Sequence, residues 1–178
     1  MEVRTKLTVQ ELFESYPPES RVELIDGEVY EMPAPEYAHQ RVVGLIYRRL
    51  SSFVEDKGLG EVVLSPIDVI LSEDAVVQPD IAFISDLSKI KKRIEGTPDL
   101  VVEVVSPSSL KRDITDKFRL YEKHGVKEYW LVFPAEKSVL VFTLTDKGYE
   151  LFSEAHEKGK VKSKLLEGFE LEVEELWS

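Results

Sequence analysis

The sequence predicts a mixed α/β fold with a central β-sheet flanked by helices. Two strongly apolar segments, LVVEVV (100–105) and EYWLVF (128–133), have the length and composition of buried strands. A helical segment at about 109–124 separates them, which indicates a crossover unit with a parallel pair of strands. Asp26-Gly27 joins two alternating segments, a pattern typical of an antiparallel hairpin.

The other elements follow from turn residues and apolar spacing. Thr8 and Glu11 form a capping box before a short helix. Residues 36–57 carry apolar side chains at helical spacing and end at Gly58, which predicts the longest helix. The polar and basic segment 86–96 is expected to be a helix or loop on the surface. Further strands are predicted at 20–25, 28–32, 60–64, 66–72 and 80–84, in a hairpin across Thr145–Gly148, and close to the C-terminus.

Composition limits the class of protein. The 178 residues fit a single domain, 1–178, and no apolar run approaches the roughly 20 residues of a membrane span. No apolar leader is seen at the N-terminus, so a cytoplasmic location is expected. The absence of cysteine excludes disulfides and thiolate metal sites. The lack of Asn, with abundant Glu and Lys, indicates a thermophilic source.

The charge balance argues against unspecific binding of nucleic acid. Lys and Arg number 23 against 34 Asp and Glu, which gives a formal net charge of −11. An acidic surface repels a phosphate backbone. A protein of this composition that acts on nucleic acid must gather its basic residues on one face, or meet the phosphate with a metal ion.

Two carboxylates occupy positions where apolar residues are expected. Glu103 is the single charge inside LVVEVV, and Asp80 follows Pro79 at the start of the strand segment DIAFI. A buried carboxylate is costly unless it is paired, neutralised or bound to a cation. The alternatives are a structural ion pair for Glu103 and a turn residue for Asp80. Together they predict a Mg²⁺ or Mn²⁺ site, because hard cations bind through one or two carboxylates.

A lysine is the third group that this chemistry needs, as a cation beside the scissile phosphate. A lysine two residues after Glu103 would share its strand face, but that position is Val105. Lys117, on the following helix, shares one face with Leu120 and Tyr121 at spacings of three and four. We therefore predict that Lys117 turns inward. The alternative is an exposed lysine on the helix surface.

Four segments carry a resemblance to a known family. In the order RVELIDGEVYEMPAPEYAHQRVV, VVQPDIAFI, TPDLVVEVVSPSS and DITDKFRLYEKHGVKEYWLV, the sequence resembles the Uma-type family of endonuclease-like proteins. That family belongs to the PD-(D/E)XK, restriction-endonuclease-like superfamily. The resemblance implies a core with a central mixed sheet flanked by helices, an N-terminal helix and hairpin, and a C-terminal hairpin.

The resemblance also implies roles for individual residues. Asp80 matches the motif aspartate and Glu103 the motif acid, and the backbone carbonyl of Val104 would be a further metal ligand. The motif lysine is absent at Val105, and Lys117 matches the family's lysine on the next helix. This arrangement looks like a migrated catalytic lysine.

Two further positions match the family and are candidate catalytic residues. Glu23 lies before the hairpin turn, and an acid near the N-terminal helix of related nucleases adds a metal ligand or orients water. His39 begins the long helix. For His39 the alternative is a hydrogen-bonding residue at the helix start.

We predict an endonuclease that depends on Mg²⁺ or Mn²⁺ and hydrolyses phosphodiester bonds of DNA. One alternative is a catalytically inert dimer on the same fold that binds nucleic acid or has a structural role, favoured by the acidic charge and by Val105. Another is a phosphoesterase acting on small nucleotides. The C-terminal hairpin, Val139–Phe152, is a candidate interface for a homodimer.

Overall fold

The computed structural model of the protein describes residues 6–178. Residues 1–5 lie outside the described residues, and the expectation for the N-terminus falls partly on them. The helices are α1 (Val9–Ser15), α2 (Tyr37–Lys57), α3 (Lys117–Lys123) and α4 (Glu174–Trp177). The strands are β1 (Val22–Ile25), β2 (Glu28–Glu31), β3 (Glu61–Leu64), β4 (Val69–Ser72), β5 (Ala75–Val77), β6 (Ile81–Ile84), β7 (Ile94–Glu95), β8 (Leu100–Val104), β9 (Glu128–Phe133), β10 (Ser138–Thr145), β11 (Gly148–His156), β12 (Lys160–Lys162) and β13 (Glu170–Glu172).

The predicted mixed α/β class is confirmed. A six-stranded sheet has the order β11-β10-β9-β8-β6-β3, and β8 and β9 form the parallel pair that the crossover predicts. The hairpin β1–β2 lies in a second sheet of order β2-β1-β5-β4-β7, because β1 pairs with β5. The strands β12 and β13 form a small antiparallel sheet. Within residues 6–178, no helix is both long enough and apolar enough to cross a membrane.

Two segments differ from the sequence predictions. The segment 86–96 is not entirely on the surface: after a 3₁₀ turn, Ile94 is fully buried in β7, which runs parallel to β4. The three apolar residues of this segment, Leu87, Ile90 and Ile94, are spaced three and four apart, a pattern that favours a helix and does not reveal this short strand. The helix predicted at 109–124 contains a π-helical segment, Arg112–Asp116, directly before α3.

The six-stranded sheet is buried on both faces. On one face, Ile46 and Leu50 of α2 pack in the same cluster as Val102 of β8. On the other face, Tyr121 of α3 packs in the cluster that contains Val101. Because side chains alternate along a strand, Glu103 of β8 points to the α3 face. The fold therefore directs this carboxylate toward the crossover helix.

Candidate active site

The two predicted acids meet where the end of β8 lies beside the start of β6. These strands are antiparallel, with Ile81 opposite Val102. The amide of Asp80 donates to Oε1 of Glu103 at 3.0 Å, and the amide of Val104 donates to Oδ2 of Asp80 at 2.7 Å. Each acid is thus held by a backbone amide on the neighbouring chain segment. Within residues 6–178, Oδ1 of Asp80 receives no hydrogen bond and its side chain is 13% exposed.

Lys117 is buried between two carboxylates. Its Nζ lies 2.5 Å from Oε2 of Glu103 and 2.6 Å from Oε2 of Glu23. The hydroxyl of Tyr121 also donates to Oε2 of Glu103, at 3.0 Å. The amide of Gln78 donates to Oε2 of Glu23 at 2.8 Å. The inward turn of Lys117 that the helix spacing predicts is therefore observed, and the alternative of an exposed lysine is excluded.

Burial and neighbouring charges together set the pKa values of this cluster. Burial raises the pKa of Glu103 to about 8, against the lowering effect of Lys117 and with support from Asp113, Asp80 and Glu23. Burial works to lower the pKa of Lys117, but Glu103, Glu23 and Asp113 together raise it above its ordinary value. Lys117 is therefore a permanent cation, and the acids around it remain in excess.

His39 lies beside both acids, in the first turn of α2. Its Nε2 is 2.9 Å from the carbonyl oxygen of Val104 and 3.4 Å from Oδ2 of Asp80. Burial works to lower the pKa of His39, yet the hydrogen bond and the charge of Asp80 raise this pKa to about 9. The protonated ring therefore adds a second cation to the cluster at neutral pH.

Sequence reasoning missed two residues of the cluster. Asp113 is 3% exposed, and burial raises its pKa to about 6. Its position one turn before Lys117 was the available signal, because residues four apart share a helix face. Arg112 has its Nε 3.2 Å from Oε1 of Glu23. Its place in a run of alternating charges gave no indication of an inward position.

A cavity of about 320 Å³ opens over the cluster. Asp80, Glu103, Asp113 and Lys117 border it from the sheet and the crossover helix. The rest of the wall comes from the segment before β1, the β2–α2 connection, the residues around the end of β8 and the π-helical segment: Arg21, Met32, Pro33, Ala34, Pro35, Glu36, His39, Gln78, Val104, Ser106, Pro107, Ser108, Ser109 and Arg112.

The donor set suits a hard divalent cation that completes its shell with water and substrate. Among residues 6–178, no three His, Cys, Asp or Glu side chains are grouped so that they could hold a metal ion. Mg²⁺ needs only one or two carboxylates when waters and phosphate oxygens fill the remaining positions. Oδ1 of Asp80 has no donor within the described chain. The carbonyl of Val104 retains a second lone pair beside the hydrogen bond from His39.

The five side chains predicted from the sequence thus lie together: Asp80, Glu103, Lys117, Glu23 and His39. Glu23 contacts Lys117 and is fully buried, and it is absent from the cavity wall. The catalytic and metal-binding roles of all five stay predictions.

The fold and this constellation define a protein of the restriction-endonuclease-like class, with two acids at adjoining strand ends and a lysine from the crossover helix. The chain belongs to the Uma2 family, described as "Putative restriction endonuclease", whose match spans residues 9–174. This family membership supports a nuclease and confirms the resemblance that the sequence motifs indicated.

A solved structure shares the fold. The chain is similar to a putative nuclease belonging to DUF820 from Anabaena variabilis ATCC 29413, with a TM-score of 0.79 and 22% sequence identity. The similarity covers 96% of this chain and 97% of that chain. No curated protein matches the chain.

Proposed function

We propose that the protein is a nuclease that depends on Mg²⁺ or Mn²⁺ and hydrolyses phosphodiester bonds of DNA in the cavity above Asp80 and Glu103. The observation that carries the proposal is the pair of acids, locked together by backbone amides and bordering an open cavity with a buried lysine. A purely structural ion pair would need no access to solvent. The exposed side of Asp80 supports a ligand-binding role.

The metal would be held by Asp80, Glu103 and the carbonyl of Val104. Bound there, it would supply positive charge that stabilises the phosphoryl oxygens in the transition state and eases loss of a proton from water. Burial, together with the charges of Asp113, Asp80 and Glu23, raises the pKa of Glu103, and a bound cation would favour its ionised form.

The residues of the chain would prepare the site for in-line attack by water. The attacking water would give up a proton to solvent as its oxygen forms a bond to phosphorus, the P–O bond to the leaving group would break, and the leaving oxygen would take up a proton from solvent. Lys117, a cation at all working pH values, would hold Glu103 in position and stabilise negative charge by hydrogen bonding. Its raised pKa argues against a role as general base. His39, protonated near neutral pH, would orient Asp80 and the carbonyl of Val104.

Replacement of one acid tests the proposal. We expect Asp80→Ala to abolish Mn²⁺-dependent cleavage of plasmid and single-stranded DNA, because it removes the accessible carboxylate oxygen. Asp146→Ala, an exposed aspartate in the turn between β10 and β11, is the matched control and should cut like wild type. Equal cleavage by the Asp80 variant and wild type would show the assignment to be wrong.

A second candidate is an inert nucleic-acid-binding or structural dimer. It is favoured by one observation: both oxygens of Glu103 already accept hydrogen bonds, from Asp80, Lys117 and Tyr121. Calorimetric titration with Mn²⁺ separates the two, because an inert site should bind no metal at millimolar concentration. The homodimer, the cytoplasmic location and the thermophilic source stay predictions.

A further inference from the structure

Two arginines that the sequence did not single out border the same cavity as the acids. Arg21 directly precedes β1, and Arg112 lies in the π-helical segment. We propose that their guanidinium groups bind a second phosphate of the substrate, adjacent to the phosphate that is cut. This inference rests on the proposed function and narrows its substrate class to strands with at least two consecutive phosphates.

The other two cationic side chains at the cavity already form contacts with carboxylates of the cluster. Lys117 contacts two carboxylates, and His39 contacts Asp80. The nearest contact of Arg112 with Glu23 joins its Nε to Oε1 at 3.2 Å, and this contact lacks hydrogen-bond geometry. Within residues 6–178 its two terminal nitrogens donate no hydrogen bond. These nitrogens provide the pair of parallel donors that binds a phosphate well.

Arg21 has even fewer partners. Within the described chain it forms no ion pair, its Nη1 lies 3.4 Å from the carbonyl oxygen of Pro33, and its Nε is buried without an acceptor. A buried donor without a partner is costly. The Nη2 of Arg21 also makes no hydrogen bond within residues 6–178, and it is not buried, so an acceptor that arrives with the substrate can reach it. A phosphate oxygen is the acceptor that the proposed substrate brings.

Both arginines are held in place before a ligand binds. The guanidinium carbon of Arg112 lies 5.8 Å from the centre of the Tyr30 ring, and its Nε faces Glu23. The side chain of Arg21 donates from Nη1 to the carbonyl oxygen of Pro33, and its backbone carbonyl accepts a hydrogen bond from Met32 at 2.9 Å. Side chains positioned in advance lose less entropy when they bind.

The two arginines also explain how a protein with a negative net charge could bind a phosphate. A formal net charge of −11 gives no overall attraction for nucleic acid. Two arginines in the cavity wall attract a phosphate locally, where short distance and partial burial weaken screening. A substrate with a single phosphodiester would occupy only the acid end of the cavity. A substrate with a neighbouring phosphate would reach the arginines as well.

The test compares substrates that differ by one phosphate. A thymidine dinucleotide with one phosphodiester is compared with the same compound carrying a 5′-phosphate or a 3′-phosphate, and kcat/KM is measured with Mn²⁺. We expect wild type to prefer one phosphorylated form by about tenfold. Arg21→Gln and Arg112→Gln should each remove most of that preference. Arg48→Gln, beside a different cavity formed with Phe169, is the matched control and should keep the preference.

A binding measurement separates failure of this inference from failure of the proposed function. The affinities of the same compounds are measured by calorimetry with Mn²⁺ for wild type and for each variant. Equal affinity of wild type for all three compounds, or a preference that survives in both variants, overturns the role of the arginines whether or not cleavage occurs. Binding with the expected preference and no cleavage would contradict only the nuclease activity. Arg112→Gln removes the contact with Glu23 and could fail to fold. In that case Arg112→Lys, which keeps a positive charge beside Glu23, and Arg21→Gln provide the test.

Discussion

Replacing Lys117 by Met provides the most direct test of the buried charge cluster. The Nζ of Lys117 lies 2.5 Å from Glu103 and 2.6 Å from Glu23, and both acids are almost fully buried. Removing one partner of a buried pair leaves an uncompensated charge, which costs about 3–5 kcal/mol. This is a large part of the roughly 5–15 kcal/mol that stabilises a typical domain. We expect urea unfolding, followed by fluorescence of the buried Trp130, to show a loss of this size at pH 8.

The pH dependence of the stability loss, together with a second variant, distinguishes an effect of charge from an effect of altered packing at residue 117. Without Lys117, which lowers the pKa of Glu103, that pKa rises further above its ordinary value, so the folded state takes up a proton and the loss of stability grows with pH. The loss should therefore be smaller at pH 5.5 than at pH 8. The triple variant Lys117→Met, Glu103→Gln, Glu23→Gln removes the stranded charges and should regain much of the stability. A loss below about 1 kcal/mol at both pH values would refute the proposed cost of stranded charge.

Two further perturbations address the histidine and a glycine. The pKa of His39 is raised to about 9 from an ordinary value of 6.5, so its contribution to stability is complete below about pH 6.5 and is lost as pH rises through 9. The urea midpoint, measured in the presence of a chelator, should fall between pH 6.5 and 9 for wild type and fall less for His39→Gln. The same fall in both proteins would contradict the raised pKa of His39. Gly60→Ala should destabilise by more than about 1 kcal/mol, because φ is +150° and an added Cβ would lie 2.3 Å from the carbonyl oxygen of Ile84. Gly44→Ala in α2, where an added Cβ meets nothing within 4 Å, is its control and should stabilise by about 0.5–1 kcal/mol; thermal melts that rank the two variants the other way would refute this reasoning.

The strand acids could be predicted from the sequence because each breaks an apolar pattern. Glu103 is the single charge in a strand that is buried on both faces. The spacing of Lys117 from Leu120 and Tyr121 predicts that its side chain points inward from the helix. These are local signals, each contained within one element. The sequence therefore predicted the mixed fold, the crossover and the inward lysine.

The remaining parts of the cluster depend on contacts between distant segments. Arg21 reaches the cavity because the β1–β2 hairpin joins a second sheet, and no local pattern reports that pairing. Arg112 and Asp113 enter through a π-helical segment, whose wider turn leaves no mark in apolar spacing. Such residues become visible only when the strands and the helix are placed together.

The two hydrogen bonds between acids and backbone amides have a consequence for folding. A slip of β6 against β8 by one residue would separate the amide of Asp80 from Glu103 and the amide of Val104 from Asp80. If β8 itself were displaced by one residue, Glu103 would face the apolar side chains of α2 and lose contact with Lys117. The acid pair therefore penalises incorrect strand alignment, and a variant that loses both acids is expected to fold with a less sharply defined sheet register.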